Sequence, residues 1–212
     1  TLSSTTATTT GTITKSQPTI AFADGYNPSK DYDGQTIPNP TADNLTITDA
    51  GYANVTFVWY KDSVTEANKL TGQPKDAGSY VLTANIPETD NTAAASTSPL
   101  TVTISKAPLT VTGVTIQTRP YKPTNRAAEV SGVSFTGLVN GDTLALGQDY
   151  AAAGSYDDPN AGENKSATIL VELKSSAKAN NYNLTNSSVN ATGTITKASQ
   201  TAPQISGLPS GT

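Results

Sequence analysis

Four oxygen-bearing side chains crowd one short stretch of the chain: Asp157, Asp158, Asn160 and Glu163. Oxygen ligands of this kind suit a hard cation, and calcium is the metal they would take. Their spacing follows no EF-hand or nonapeptide calcium loop, and turn hydrogen bonding is the ordinary use of such residues. Asp31 with Asp33, and Asp157 with Asp158, pair carboxylates that acid–base chemistry requires. Glycoside hydrolysis needs two carboxyls about 5–10 Å apart across a cleft, which neighbours in one loop do not supply. The chain has no His and no Cys. Imidazole bases, thiol nucleophiles, zinc–thiolate sites and disulfides are therefore excluded. No catalytic residue and no cofactor-binding residue stands out, and the chain is not expected to be an enzyme. Lys30, Lys61 and Lys165 are candidates for a lysine–asparagine crosslink, which requires the amine, the amide and an acid buried together. Coincidence of surface Lys and Asn is the alternative. Trp59, the only Trp, falls in register with a strand core. Tyr26, Tyr32, Tyr60, Tyr121 and Tyr150 are candidates for an exposed aromatic surface.

The elements that carry these residues are organised by one recurring stretch. Thr12-Ile13-Thr14-Lys15 returns as Thr103-Ile104-Ser105-Lys106 and as Thr194-Ile195-Thr196-Lys197, 91 residues apart both times. A fixed period of this size marks an array of similar units. The reading is residues 1–15 as linker or edge of a preceding module, 16–106 and 107–197 as two modules, and 198–212 as the start of a next one or a tail. Leu100 to Ser105 and Ala191 to Thr196 alternate small or apolar residues with hydroxyls, the period of a strand. Each reads as the closing strand of its module.

Composition points the same way. Apolar residues make up 35% and charged residues 14% of the 212, with net charge −4. Thr, Ser, Asn and Gly suit short strands with a polar outer surface. No basic patch is present, so nucleic acid is disfavoured as a partner. No apolar run approaches the roughly 18 residues of a bilayer span. The lack of Met makes residue 1 no native start, and the chain reads as an excised piece. Strands are predicted over 18–22, 44–48, 55–62, 79–86 and 100–105, and from 109 to 116. The Asp33-Gly34 step predicts a tight hairpin.

Two stretches then resemble known families. Trp59-Tyr60-Lys61-Asp62 resembles the central Trp strand of an immunoglobulin-like domain. Asp76-Ala77-Gly78-Ser79-Tyr80 resembles the D-x-G-x-Y step into a strand with a tyrosine corner. Leu82 falls where such domains carry a Cys. The second module resembles the bacterial "YDG" repeat: Tyr121 to Ala128 sits at its K-x-Y-D-G-T-T-A-A segment, Gly137 to Asp142 at its G-x-x-x-G-D, Asn160 to Lys165 at its N-A-G-x-x-K, Asn181 to Leu184 at its N-Y-x-L, and Thr194 to Lys197 at its closing I-T-K. The defining Tyr-Asp-Gly reads Tyr121-Lys122-Pro123 there and is intact at Tyr32-Asp33-Gly34. YDG and related mucin-binding-type repeats belong to large bacterial adhesins.

What these resemblances imply is an all-β protein: two tandem immunoglobulin-like β-sandwich domains arranged end to end, extracellular, on a bacterial cell surface or wall. The expected role is stalk or spacer of an adhesin, a monomeric segment whose partners are its neighbouring modules, with joint residues Lys15, Lys106 and Lys197. The alternative is a module that recognises host glycan or matrix protein through its loops.

Overall fold

A computed structural model describes residues 11–200. The fold is all-β, its strands linked by loops and single 3-10 turns such as Glu66–Asn68. The predicted start of a next module lies largely outside the described residues, as does most of the predicted linker. The chain divides into two compact units at Ser105/Lys106.

The first unit contains β1 (Thr19–Phe22), β2 (Lys30–Asp31), β3 (Leu45–Thr48), β4 (Thr56–Lys61), β5 (Gly78–Ile86), β6 (Ala95–Ser96) and β7 (Leu100–Ser105). β1 pairs with β3, and a second sheet runs β2-β7-β5-β4, with β6 added to β5. Alternation sets the inner face. In β7, Val102 and Ile104 are buried while Thr101 and Thr103, which alternate with them, are exposed. Ile20, Leu45, Ala84 and Ile86 draw β1, β3 and β5 into one apolar cluster. Each fully buried Leu, Ile or Val contributes about 1.5–3 kcal/mol. Trp59 and Leu82 are directly paired and both buried, so an apolar contact stands at the predicted cysteine position.

The second unit contains β8 (Ala107–Ile116), β9 (Arg119–Pro120), β10 (Ala127–Ala128), β11 (Val130–Thr136), β12 (Tyr150–Tyr156), β13 (Gly162–Leu173), β14 (Tyr182–Leu184) and β15 (Ser188–Thr196). Its sheets run β11-β8-β14 and β10-β12-β13-β15-β9. Val111 from the first sheet and Tyr150, Tyr156, Ile169, Val171 and Ile195 from the second close one core.

The two units repeat one strand order. The run β2-β7-β5-β4 in the first is β9-β15-β13-β12 in the second, with the outer pair parallel in both. Registers carry the correspondence down to single residues. Trp59 pairs with Leu82, and Leu82 with Leu100. The residue 91 positions on, Ala191, pairs with Ala167, which pairs with Tyr156. Tyr156 thus holds in the second core the place that Trp59 holds in the first.

Two expectations are corrected. Asp33-Gly34 makes no hairpin, because β2 pairs in parallel with the distant β7 and no strand doubles back on it. Asp33 instead turns the chain locally, its carboxylate accepting the Gln35 N–H at 2.8 Å. Tyr32 and Tyr150 are not surface aromatics; both are buried, and Tyr150 meets Phe135 edge-on at 5.1 Å between centroids.

Candidate functional site

The feature common to both units is a parallel pair in which an early strand grips the closing strand. In the first unit Lys30 and Asp31 pair with Ile104 and Ser105. The Ser29 hydroxyl accepts the Thr103 N–H at 2.9 Å, and the Tyr32 N–H donates to the Ser105 carbonyl at 2.8 Å. In the second unit Arg119 and Pro120 pair with Ile195 and Thr196, and the Tyr121 N–H donates to the Thr196 carbonyl at 2.8 Å. The tyrosine of the Tyr-Asp-Gly segment and its counterpart therefore mark the same hydrogen bond to the residue before the closing lysine. Where β8 starts, a second parallel pairing joins Ala107, Pro108 and Leu109 to Tyr182, Asn183 and Leu184. Its counterpart in the first unit is the single bridge of Ser16 with Thr92.

The loop after each early strand is held by a cation, with different chemistry. Lys30 Nζ donates to Asp33 Oδ1 at 2.6 Å and to the Gln35 carbonyl at 2.8 Å. The Lys30 ammonium and the Gln35 N–H hold the Asp33 carboxyl below the usual carboxylate range. In the second unit Lys122 stands at the position of Asp33 and Pro123 at that of Gly34. Arg119, at the place of Lys30 and 7% exposed, donates from Nε to the Ala127 carbonyl at 2.9 Å, from Nη1 to the Pro120 carbonyl at 3.2 Å, and from Nη2 to the Asn125 carbonyl. The planar five-donor fork of arginine reaches three carbonyls, where lysine has one compact point of charge. The loop that lacks Asp-Gly is thereby closed without a carboxylate. Arg119 is absent from the residues that the sequence singles out. Its only signal there is its place 89 residues after Lys30, in a segment aligned on the tyrosines.

The four calcium candidates do not converge. Asp158 Oδ2 accepts Lys165 Nζ, Asp158 Oδ1 accepts the Asn160 N–H at 2.9 Å, and Lys165 holds the Asp158 carboxyl below its ordinary range. The Asp157 carbonyl accepts Arg126 Nη1, and Glu163 is exposed. Among the described residues no group of three acidic side chains is placed to hold a metal ion. Asp158 and Lys165 extend the β12–β13 register by two pairs of positions, to the place at which Lys61 and Tyr80 face each other across β4–β5. There Lys61 Nζ lies 4.4 Å from the Tyr80 ring centroid. A cation over a ring in one unit is an ion pair in the other.

The three crosslink lysines have these partners: Asp33 for Lys30, the Tyr80 ring for Lys61, Asp158 for Lys165. The Tyr80 hydroxyl donates to the Asp76 carbonyl at 2.7 Å, closing the D-x-G-x-Y corner. Among the joint lysines, Lys15 pairs with Glu88 at 2.6 Å. A single residue, Lys106, separates β7 from β8.

Two segments of the second unit's motif series meet in space. The Tyr182 hydroxyl donates to Asp142 Oδ2 at 2.7 Å and accepts the Val139 N–H at 3.2 Å. Burial, with the Asp142 carboxylate beside it, pushes the Tyr182 phenol up to about 12. Gly137, two residues before Val139, has φ +105°, and an added Cβ would stand 2.3 Å from the Pro108 carbonyl oxygen, so any other residue there is strained.

Comparison with known proteins matches the YDG domain over residues 105–203. It falls on the second unit. This corrects the wider attribution of the chain to immunoglobulin-like, mucin-binding-type repeats of adhesins: the family whose model matches is the YDG domain, not a mucin-binding-type repeat. No curated protein matches the chain. Among solved structures, one containing three N-terminal domains of the highly immunogenic outer capsid protein (Hoc) of bacteriophage RB49 is similar at 20% identity. That match covers 72% of this chain and 52% of the other, with a TM-score of 0.27. The chain spans about half the length of the chain in that structure, and a likeness of this size carries no conclusion on fold or role. Among the described residues no helix is long and apolar enough to cross a membrane.

Proposed function

We propose that the chain is a spacer segment of an extracellular protein, built from two copies of one immunoglobulin-like β-sandwich module and loaded along its length. The observation that carries this reading is the parallel pair recurring in both units, β2 with β7 and β9 with β15. Tension enters each module at its start and leaves by its closing strand. Parallel partners pulled from opposite ends are loaded in shear, so their hydrogen bonds resist together rather than parting one by one. The one-residue joint at Lys106 suits the transmission of force from module to module. The Trp59–Leu82 pair and the Tyr80 corner support the immunoglobulin-like assignment, and a cell-surface setting belongs to the same proposal.

The test uses the whole chain in two assays. Pulled from its ends, each module should give a distinct high-force unfolding event; smooth extension at low force would sink the reading. On an array of glycans and matrix proteins, chain shown to be folded by Trp59 fluorescence should stay silent. A saturable hit would replace the spacer with a binding module. Tyr121, which lines a surface depression, would then be the first residue to change.

A further inference from the structure

We propose that Lys30 and Arg119 are corresponding locks on the strand that grips each closing strand, and that their different partners make the first module's grip release in acid while the second module's holds. The inference rests on the spacer reading only for its consequence; the lock itself is a property of each module.

The argument starts from position. Lys30 lies in β2 two residues before Tyr32, whose N–H is the last hydrogen bond of the grip on Ser105. Arg119 lies two residues before Tyr121, whose N–H bonds Thr196 in the same way. Beyond each tyrosine the chain turns away from the closing strand. It is kept from peeling by the cation behind it. In the first module that turn is closed through one carboxylate: Asp33 Oδ1 takes both Lys30 Nζ and the Gln35 N–H. In the second it is closed through the carbonyls of Pro120, Asn125 and Ala127, all on Arg119. Asn125 adds a side-chain acceptor for the Ala127 N–H at 2.8 Å. Carbonyls and guanidinium do not titrate in the range where carboxylates do.

Lys30 is the charged group facing Asp33, and the β7 residues alongside, Thr103, Ile104 and Ser105, carry no charge. Asp31 is the adjacent carboxylate on the strand, and Lys75 follows Pro74, whose carbonyl accepts the Ile37 N–H. The folded Asp33 carboxyl titrates below its unfolded value. The lock is therefore complete above the ordinary carboxylate range and is lost as pH falls through the lowered value.

The experiment is residue-resolved amide hydrogen exchange on the full chain between about pH 6 and pH 2, each rate divided by its unfolded-chain rate at that pH. Tyr32 protection should fall by about threefold to tenfold on acidification, since Asp33 is half exposed and its ion pair is screened. Tyr121 protection should stay level. Asp33→Asn should lower Tyr32 protection at pH 6 and flatten its pH course. Adding Lys30→Arg to Asp33→Asn should restore protection, now independent of pH, by giving the first module the lock of the second. Tyr32 and Tyr121 following one pH course, or Asp33→Asn leaving Tyr32 unchanged, would overturn the inference. Because exchange is read without load, neither result bears on whether the modules carry force; the pulling assay decides that separately.

Discussion

Tyr156 shows how one residue type alters its neighbours. It occupies the place of Trp59, and its hydroxyl ends in the core with no hydrogen-bond partner among the described residues. Trp59 has the opposite fortune: its Nε1–H donates to Asn39 Oδ1 at 2.9 Å, and the position 89 residues on is Ala128, which has no side-chain acceptor. The space for the Tyr156 hydroxyl comes from Gly193, which stands 91 residues after Val102. A Cβ on Gly193 would lie 2.2 Å from that oxygen. An orphaned buried hydroxyl costs about 1–3 kcal/mol. Tyr156→Phe should therefore leave the second unit as stable as before or stabilise it by about 1 kcal/mol, in a urea titration followed by circular dichroism. Gly193→Ala should destabilise it by about 2 kcal/mol or more, and Tyr156→Phe should recover part of that loss. Strict additivity of the two changes would show that the oxygen and the missing Cβ do not share this space.

Pairs of elements are held by polar groups far apart in sequence, and Tyr182 is the clearest case. It ties β14 to the Val139–Asp142 turn that follows β11. An unfolded tyrosine ionises near 10, while folded Tyr182 ionises at about 12. The neutral phenol is the form the fold holds, so its contribution is whole below pH 10 and declines as pH rises from 10 to 12. Tyr182→Phe should lower stability at pH 7 by about 1–2 kcal/mol and reduce the slope of the stability curve across pH 10–12. An unchanged alkaline slope would mean another group sets it. The same long-range character decides which features are legible in the sequence. Alternation in 100–105, Trp59 in a core register and the Asp76-to-Tyr80 corner are local patterns, and local patterns can be read from the residues alone. The parallel grip of β2 on β7 leaves no mark in either stretch. Asp33-Gly34 therefore has the look of a hairpin, and Asp158 that of a metal ligand, because its partner Lys165 arrives on the next strand. Arg119 escapes notice because its partners are backbone carbonyls, which carry no residue type to recognise. Tyr32 and Tyr150 look free because what buries them is remote in sequence.

At the scale of the whole molecule, each unit closes its own apolar cluster, and the single Trp lies in the first. This gives two readouts on one chain: Trp59 fluorescence for the first unit and far-ultraviolet circular dichroism for both. Gly137→Ala separates them. The substitution puts a Cβ where φ is +105° and against the Pro108 carbonyl oxygen, contact that a backbone atom cannot yield. The left-handed region alone costs an L-residue about 1–2 kcal/mol, and the clash adds to it. For a unit of this size each kcal/mol lowers the melting temperature by about 4–8 °C. The dichroism of the variant should therefore split into two transitions, the lower displaced by roughly 10 °C or more, while the Trp59 transition keeps its wild-type midpoint. If Trp59 melts early as well, the two units unfold as one cooperative body. Force applied to the chain would then meet a single barrier, and the graded yielding of a two-module spacer would be lost.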